Sequence, residues 1–477
     1  MYLGLDLGTS GLKGLVIDDN QEIVAEANAP LTVSRPRSGW SEQAPADWIS
    51  AAETVLDTLA ESGALGGVSG IGLAGQMHGA TLLDRSGEVL RPCILWNDTR
   101  SAAEAADMDA DPVWRQVSGN IVFPGFTAPK LAWVKKNEPS AFDSVDKVLL
   151  PKDYLRLWLT GEHVSEMSDA AGTSWLDTGA RDWSDELLAK SSLGREHMPT
   201  LVEGSAVSGK LRRELAERWG IGDAVVAGGA GDNAASAIGM GVVRAGQAFV
   251  SLGTSGVLFA ANDGYRPDPE TAVHTFCHAL PNTWHQMGVI LAATDALNWY
   301  AGLIGSTSEA LTSSLGDLQK PGKPVFLPYL GGERTPLNSG SVRGGILGLE
   351  HASDRTAGAR AVLEGVAFAF ADCRDALEAT GTEIDNVVAV GGGSKSDYWL
   401  SAIATALNVP ISIPKAGDFG AAFGAARLGM MAASEETDLA KPPKIDRIIE
   451  PEPDLVPAFI EGHERYRNAA NFLKDFK

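Results

Sequence analysis

Leu7-Gly8-Thr9-Ser10-Gly11 recurs as Leu252-Gly253-Thr254-Ser255-Gly256, 245 residues further along a chain of 477. Each copy closes one short apolar run and opens another, residues 12–17 after the first and 257–261 after the second. In a chain with 54 glycines, five matching residues carry little weight alone. Matching flanks and an offset of about half the length point to two related lobes, joined near residues 241–246. We therefore divide the chain into residues 1–241 and 242–477.

The segments around each copy read as strands and helices in alternation. Tyr2 opens an apolar strand, Gly8 to Gly11 turns, and Asp18-Asp19-Asn20 turns again. Trp48, Ala52, Val55 and Leu59 fall on one helical face, and residues 68–74 form a strand that enters Gly75-Gln76-Met77-His78-Gly79. In the second half, residues 361–377 predict a long helix and 387–390 a buried strand. Gly391-Gly392-Gly393-Ser394 follows, then a helix over 397–407 with Trp399, Ile403 and Leu407 four apart. A final amphipathic helix covers 459–472. The fold class is α/β.

Composition narrows the function. The formal charge of −22, from 39 basic and 61 acidic residues, disfavours nucleic acid and anionic membrane as partners, and no Lys/Arg run offsets it. Three scattered cysteines indicate a reducing compartment rather than a disulfide framework. The start has no basic n-region, and the glycine-rich stretch 224–243 contains Asp232 and Asn233, so neither a signal peptide nor a membrane span is expected. The expected location is the cytoplasm.

Small residues in a Gly-Thr-Ser-Gly turn let backbone N–H groups converge into an anion cradle, with hydroxyls as further donors. A single copy reads as a hairpin turn; two copies at matching positions read as a grip on a polyphosphate. No G-x-x-x-x-G-K-[ST] is present, nor a G-x-G-x-x-G with its distal acid, so neither the P-loop nor the dinucleotide fold supplies the nucleotide site. The copies differ in their flanks. Asp6 precedes the first, where a carboxylate beside phosphates makes sense as a Mg²⁺ ligand, and Lys13 follows it as a phosphate partner. The second has Ser251 in the place of Asp6. Gly392 and Gly393 permit close approach of a flat ring or a phosphate; helix packing explains them equally well.

Asp232, set among glycines between an apolar strand (224–227) and a small-residue helix, is the candidate catalytic base; a helix N-cap is the plainer reading. In phosphoryl transfer such an acid orients a hydroxyl and accepts its proton. Gln76, Met77 and His78, with small neighbours and polar company, suit a site for sugar hydroxyls. The stretch from His274 to His278 alternates as a strand does and lacks a second ligand pair, so it is read as a strand and not a zinc site.

These motifs resemble the FGGY group of sugar kinases. Asp6-Leu7-Gly8-Thr9-Ser10 with Lys13, and Ser251 to Gly256, are similar to its two phosphate segments. The stretch from Gly125 to Trp133 is similar to its first signature, and Gly344 to Leu349 with Ala361 to Glu364 to its second. Gly75 to Gly79, Leu95-Trp96-Asn97-Asp98, Leu150 to Tyr154 and Met167 to Thr173 resemble the branch that acts on D-xylulose. The resemblance implies two ribonuclease-H-like lobes of the actin/hexokinase/chaperone-ATPase type, with the active site in the cleft between them. It implies ATP and Mg²⁺ as cofactors and transfer to O5 of D-xylulose, the alternative being another ketose or polyol. By the same resemblance Asp232 is the general base, and Met77, His78 and Asn233 contact the sugar. Thr9, Ser10, Lys13, Gly253 and Thr254 hold phosphates, Gly392, Gly393 and Asp397 lie at the nucleoside, and Asp6 serves the metal. A small-molecule sugar is the partner, and a homodimer is the implied assembly.

Overall fold

The computed structural model describes residues 1–415 and 419–474. The chain forms two compact units. The first holds Met1–Val243 together with Phe276–Trp284 and Asp418–Pro442; the second holds Arg244–Thr275, His285–Gly417 and Pro443–Lys477. The second unit thus begins at Arg244, and two later segments return to the first.

In the first unit, β1 (Tyr2–Leu7), β2 (Gly11–Ile17) and β3 (Ile23–Pro30) form an antiparallel meander. Helix α1 (Pro45–Glu61) follows, and β4 (Gly70–Gly75) then pairs parallel to β1. Beyond β4 come β5 (Val207–Lys210) and β6 (Val225–Ala227), giving the spatial order β5-β6-β4-β1-β2-β3. A short strand, β7 (Ala230–Gly231), also pairs parallel to β4 and leads into α2 (Asp232–Met240).

The sequences of β1 and β4 dictate how this sheet is covered. Successive strand residues point to opposite faces. Leu3, Leu5 and Leu7 of β1 and Ile71 and Leu73 of β4 share one core with Trp48, Ala52, Val55 and Leu59 of α1, the helical face that the spacing predicts. The opposite face carries Gly4, Gly70 and Gly72. Against it lies the helix Ala421–Ser434. Its backbone comes so close that a Cβ at Gly72 would sit 1.7 Å from the Ala425 carbonyl oxygen, and one at Gly4 1.9 Å from that of Ala422. The same helix crosses α2 at Gly424, where a Cβ would meet the Ala235 oxygen at 1.7 Å. Buried Arg427 donates from Nη1 to the Ile238 and Gly239 carbonyls at 2.9 and 3.0 Å, satisfying the end of α2.

The second unit repeats the arrangement. β8 (Gly246–Leu252) and β9 (Gly256–Asn262) form an antiparallel hairpin around the second Gly-Thr-Ser. The sheet runs His274–Cys277, Trp284–Ile290, β9, β8, Ile384–Val390, Ile411–Pro414 and Ile445–Ile449, with Ile384–Val390 parallel to β8 as β4 is to β1. The long helix Arg355–Ala379 begins six residues before the stretch expected from periodicity, because the Asp354 side chain accepts from the Ala357 N–H at 2.8 Å. Gly358 belongs there for a packing reason: a Cβ would lie 2.0 Å from the Tyr300 hydroxyl. Asp397–Leu407 is a helix, as its apolar spacing predicts, and the last helix spans Val456–Lys474. Among the described residues, no helix is long and apolar enough to cross a membrane.

Candidate functional site

Three strand ends of the first unit come level at one edge of its sheet. Leu7 lies opposite Gly75, and Gly75 opposite Gly231. The chain leaving each therefore emerges beside the others: the Gly8-Thr9-Ser10 turn, the Gln76-Met77-His78 loop, and Asp232. The carboxyl ends of parallel strands are where open α/β sheets place their ligands. Residues far apart in the sequence meet here because the register leaves them no other place.

Asp232 is the first residue of α2 and is half-buried. Its Oδ1 accepts from the Asn233 backbone N–H at 2.7 Å and from the Asn233 side-chain amide at 2.9 Å. Removal from water pushes its carboxyl up to about 6, against the pull of those two donors. The N-cap is Gly231, so Asp232 is not the cap that its place before a helix suggests but the first helical residue.

His78 takes a left-handed backbone conformation, φ 69°. Its ring stacks on Phe126 with centroids 4.6 Å apart, and Nδ1 lies 2.7 Å from the Gly172 carbonyl oxygen. A carbonyl only accepts, so Nδ1 carries the proton and neutral His78 has its acceptor at Nε2. Gly172 is required: a Cβ there would meet the His78 ring at 2.4 Å. The buried Met77 side chain packs over Gly231, where a Cβ would lie 2.9 Å from its sulfur. Met77, His78, Asp232 and Asn233 are thus gathered in one place.

Thr9 faces a polar network rather than standing alone as a donor. Its hydroxyl donates to Gln76 Oε1 at 2.9 Å and accepts from the Trp96 indole at 3.0 Å, while its carbonyl accepts from Gln43 at 2.8 Å. Gln43 Oε1 in turn receives Gln76 and the Trp48 indole, each at 3.0 Å. Ser10 is exposed. Asp6 is half-buried at the end of β1 and sits opposite Lys13 in the register, and Lys13 is paired with Glu26 at 3.0 Å.

In the second unit the turn is braced from behind. The Gly253 carbonyl accepts from the Thr294 N–H at 2.9 Å and its hydroxyl at 2.7 Å, and the Thr254 carbonyl accepts from Ala293 at 2.8 Å. The carbonyls of the turn are thus held at the start of the helix Thr294–Leu303. Ser251 pairs with Val390, so Gly391 abuts Leu252; it sits at φ 91°, and a Cβ would lie 2.7 Å from the Leu252 oxygen. Next to it a cavity of about 600 Å³ is lined by Gly392, Gly393, Asn298, Thr312, Lys395 and Trp399, among others. Asp397 is not among the lining residues. Its carboxylate is exposed and forks onto Arg447 at 2.5 and 2.7 Å.

Gln43, Trp96, Phe126 and Gly172 escaped assignment from the sequence. Each acts through a partner tens of residues away, and no spacing reports such a meeting. His274–Cys277 is a strand, as its alternation predicts.

Two family models divide the chain: the N-terminal domain of the FGGY family of carbohydrate kinases matches residues 1–239, and the C-terminal domain of that family matches 248–433. A xylulose kinase of Escherichia coli (strain K12) is 49% identical over 442 residues, 92% of this chain and 91% of that protein. A xylulose kinase of Klebsiella pneumoniae is 48% identical over 480 residues, 99% of each. The crystal structure of a xyloylose kinase from Brucella ovis is 61% identical and superposes with a TM-score of 0.99 over 100% of both chains. With both domain models matched and relatives of this similarity along nearly its whole length, the chain belongs to the FGGY family of carbohydrate kinases.

Proposed function

We propose that this protein transfers the γ-phosphoryl group of ATP to O5 of D-xylulose, with Asp232 as the general base. The observation that carries the reading is the meeting of Asp232 with the Met77-His78 loop at level strand ends. The relatives named as xylulose kinases support the choice of sugar.

The sugar lies against Met77 and His78, with His78 Nε2 accepting from one sugar hydroxyl and the Asn233 amide placed nearby. Asp232 accepts the O5 proton as O5 attacks phosphorus, and the γ-phosphorus–oxygen bond of ATP breaks to give ADP. Catalysis in such transfer is mostly positioning and charge neutralisation. Magnesium travels as the partner of ATP. A half-buried carboxylate offers the oxygen donor that this hard cation prefers, so Asp6 would hold it. Bound Mg²⁺ neutralises charge on the phosphates. Gly253 and Thr254 present the braced turn to phosphate, and Ser10, Lys13 and the first turn, steadied through Thr9, do so in the first unit. The nucleoside enters the cavity at Gly392 and Gly393. Asp397, held by Arg447 away from the cavity wall, acts at most through that pair.

ADP release that depends on D-xylulose tests this reading, and its pH profile tests the base. Only unprotonated Asp232 accepts a proton, so kcat/KM climbs as pH rises through about 6 and levels above it. A rate that is flat from pH 5 to 8 contradicts the assignment of Asp232, and ADP release without any sugar contradicts the function.

A further inference from the structure

Behind the strand end that carries Asp232 lies a cluster of charge with no access to water. Lys152, Asp153, Arg156, Glu166, Ser168 and Asp169 each expose 1% of their surface or less. Lys152 Nζ lies 2.8 Å from Asp153, 3.4 Å from Asp169 and 3.5 Å from Glu166. Three carboxylates face two cations; burial, opposed by Lys152 and reinforced by Asp153, Glu166 and Asp232, pushes the Asp169 carboxyl well above its ordinary value. Such a cluster is a poor source of stability, because taking ions out of water is costly and apolar replacements often do as well. Its value must lie in what it holds.

What it holds is the backbone leading to Asp232. Arg156 donates to the Ala227 carbonyl at 2.7 Å and the Gly228 carbonyl at 2.6 Å. Ser168 Oγ accepts the N–H of Gly231, the residue before Asp232, at 3.1 Å and donates to Glu166 at 2.8 Å. Glu166 is fixed by the N–H groups of Ser168 and Asp169, at 2.7 and 2.9 Å. The segment 227–231 is rich in glycine and has almost no side chains of its own to set its course. We propose that Ser168 and Arg156 are positioning residues, holding the 227–231 backbone so that Asp232 meets the sugar hydroxyl in reacting geometry. This rests on the reading of Asp232 as the base.

A double-mutant cycle on the full chain decides it. Ser168→Ala lowers kcat 10- to 100-fold with KM for sugar within about twofold, as expected when a reacting group is displaced while sugar binding stays intact. Ser168→Thr, which keeps the hydroxyl, restores most of the rate. Arg156→Lys keeps the charge but cannot bridge both carbonyls, and it loses kcat in the same way. In an Asp232→Asn background, Ser168→Ala costs nothing further. Wild-type kcat in Ser168→Ala, or the same fractional loss with and without Asp232, overturns the positioning role while leaving the base reading intact. Full turnover in Asp232→Asn alone removes the base reading and the positioning role with it.

Discussion

Replacing Asp232 by Asn lowers kcat by ~10²–10⁴ and changes KM for sugar little, because the amide keeps the size and the hydrogen-bonding reach of the carboxylate but cannot accept the hydroxyl proton. The same substitution stabilises the fold above pH 6. Burial pushes the Asp232 carboxyl up to about 6 in the folded chain, against the pull of its Asn233 hydrogen bonds. The unfolded chain therefore releases this proton first as pH rises, and Asp232 lowers stability progressively between about pH 4 and 6, with the full cost present above 6. An uncharged Asn avoids that cost, so thermal unfolding at pH 7.5 moves up by about 2–4 °C while kcat falls. A variant that loses activity and stability together shows Asp232 to be structural, and one that retains activity removes it from the base role.

Gly72→Ala is expected to be among the most damaging small changes in the first unit. Its new methyl carbon would lie 1.7 Å from the Ala425 carbonyl oxygen and 2.9 Å from the Gly429 nitrogen, both backbone atoms of one helix. Neither can move aside as a flexible side-chain end could. The helix must lift off the sheet, which also separates it from Gly4 and Gly70. A destabilisation of about 3–5 kcal/mol is expected, at the upper end for overpacking. Gly63→Ala serves as the control: its Cβ meets nothing within 4 Å, and its only penalty is the left-handed backbone, φ 77°. Chemical denaturation of the two variants beside the parent measures the difference; equal losses contradict the close packing of sheet and helix.

Local pattern made much of the fold legible. The helical face of Trp48, Ala52, Val55 and Leu59 and the doubled turn report contacts within or between adjacent elements, and both appear where expected. The large-small alternation in Tyr2-Leu3-Gly4-Leu5 and Gly70-Ile71-Gly72-Leu73 also carried information, since the glycines mark the face that a helix backbone must approach. It did not name that helix. Residues 421–434 lie some 350 positions away, and an Ala/Gly-rich stretch reads as an ordinary buried helix wherever it packs. The site divides in the same way. Asp232, Met77 and His78 stood out through their glycine-lined surroundings, which are local. Gly172, which accepts the His78 N–H, and Ser168, which holds Gly231, lie 94 and 63 residues from their partners and give no local sign of the meeting. The resemblance alone places Asp397 at the nucleoside, and no spacing in the sequence reports its ion-pair partner. Its actual neighbour, Arg447, is 50 residues on, and only the fold brings it there.

Action on D-xylulose is tested most directly by steady-state kinetics with ATP, Mg²⁺ and a panel of D-xylulose, other ketopentoses and polyols. Each ADP release is matched to the position of phosphate on the product. A site built to hydrogen-bond particular hydroxyls rejects sugars that lack or invert them. D-Xylulose is expected to give the highest kcat/KM of the panel and a product phosphorylated at O5. A higher kcat/KM for another sugar, or phosphate at any other oxygen of D-xylulose, would contradict the account.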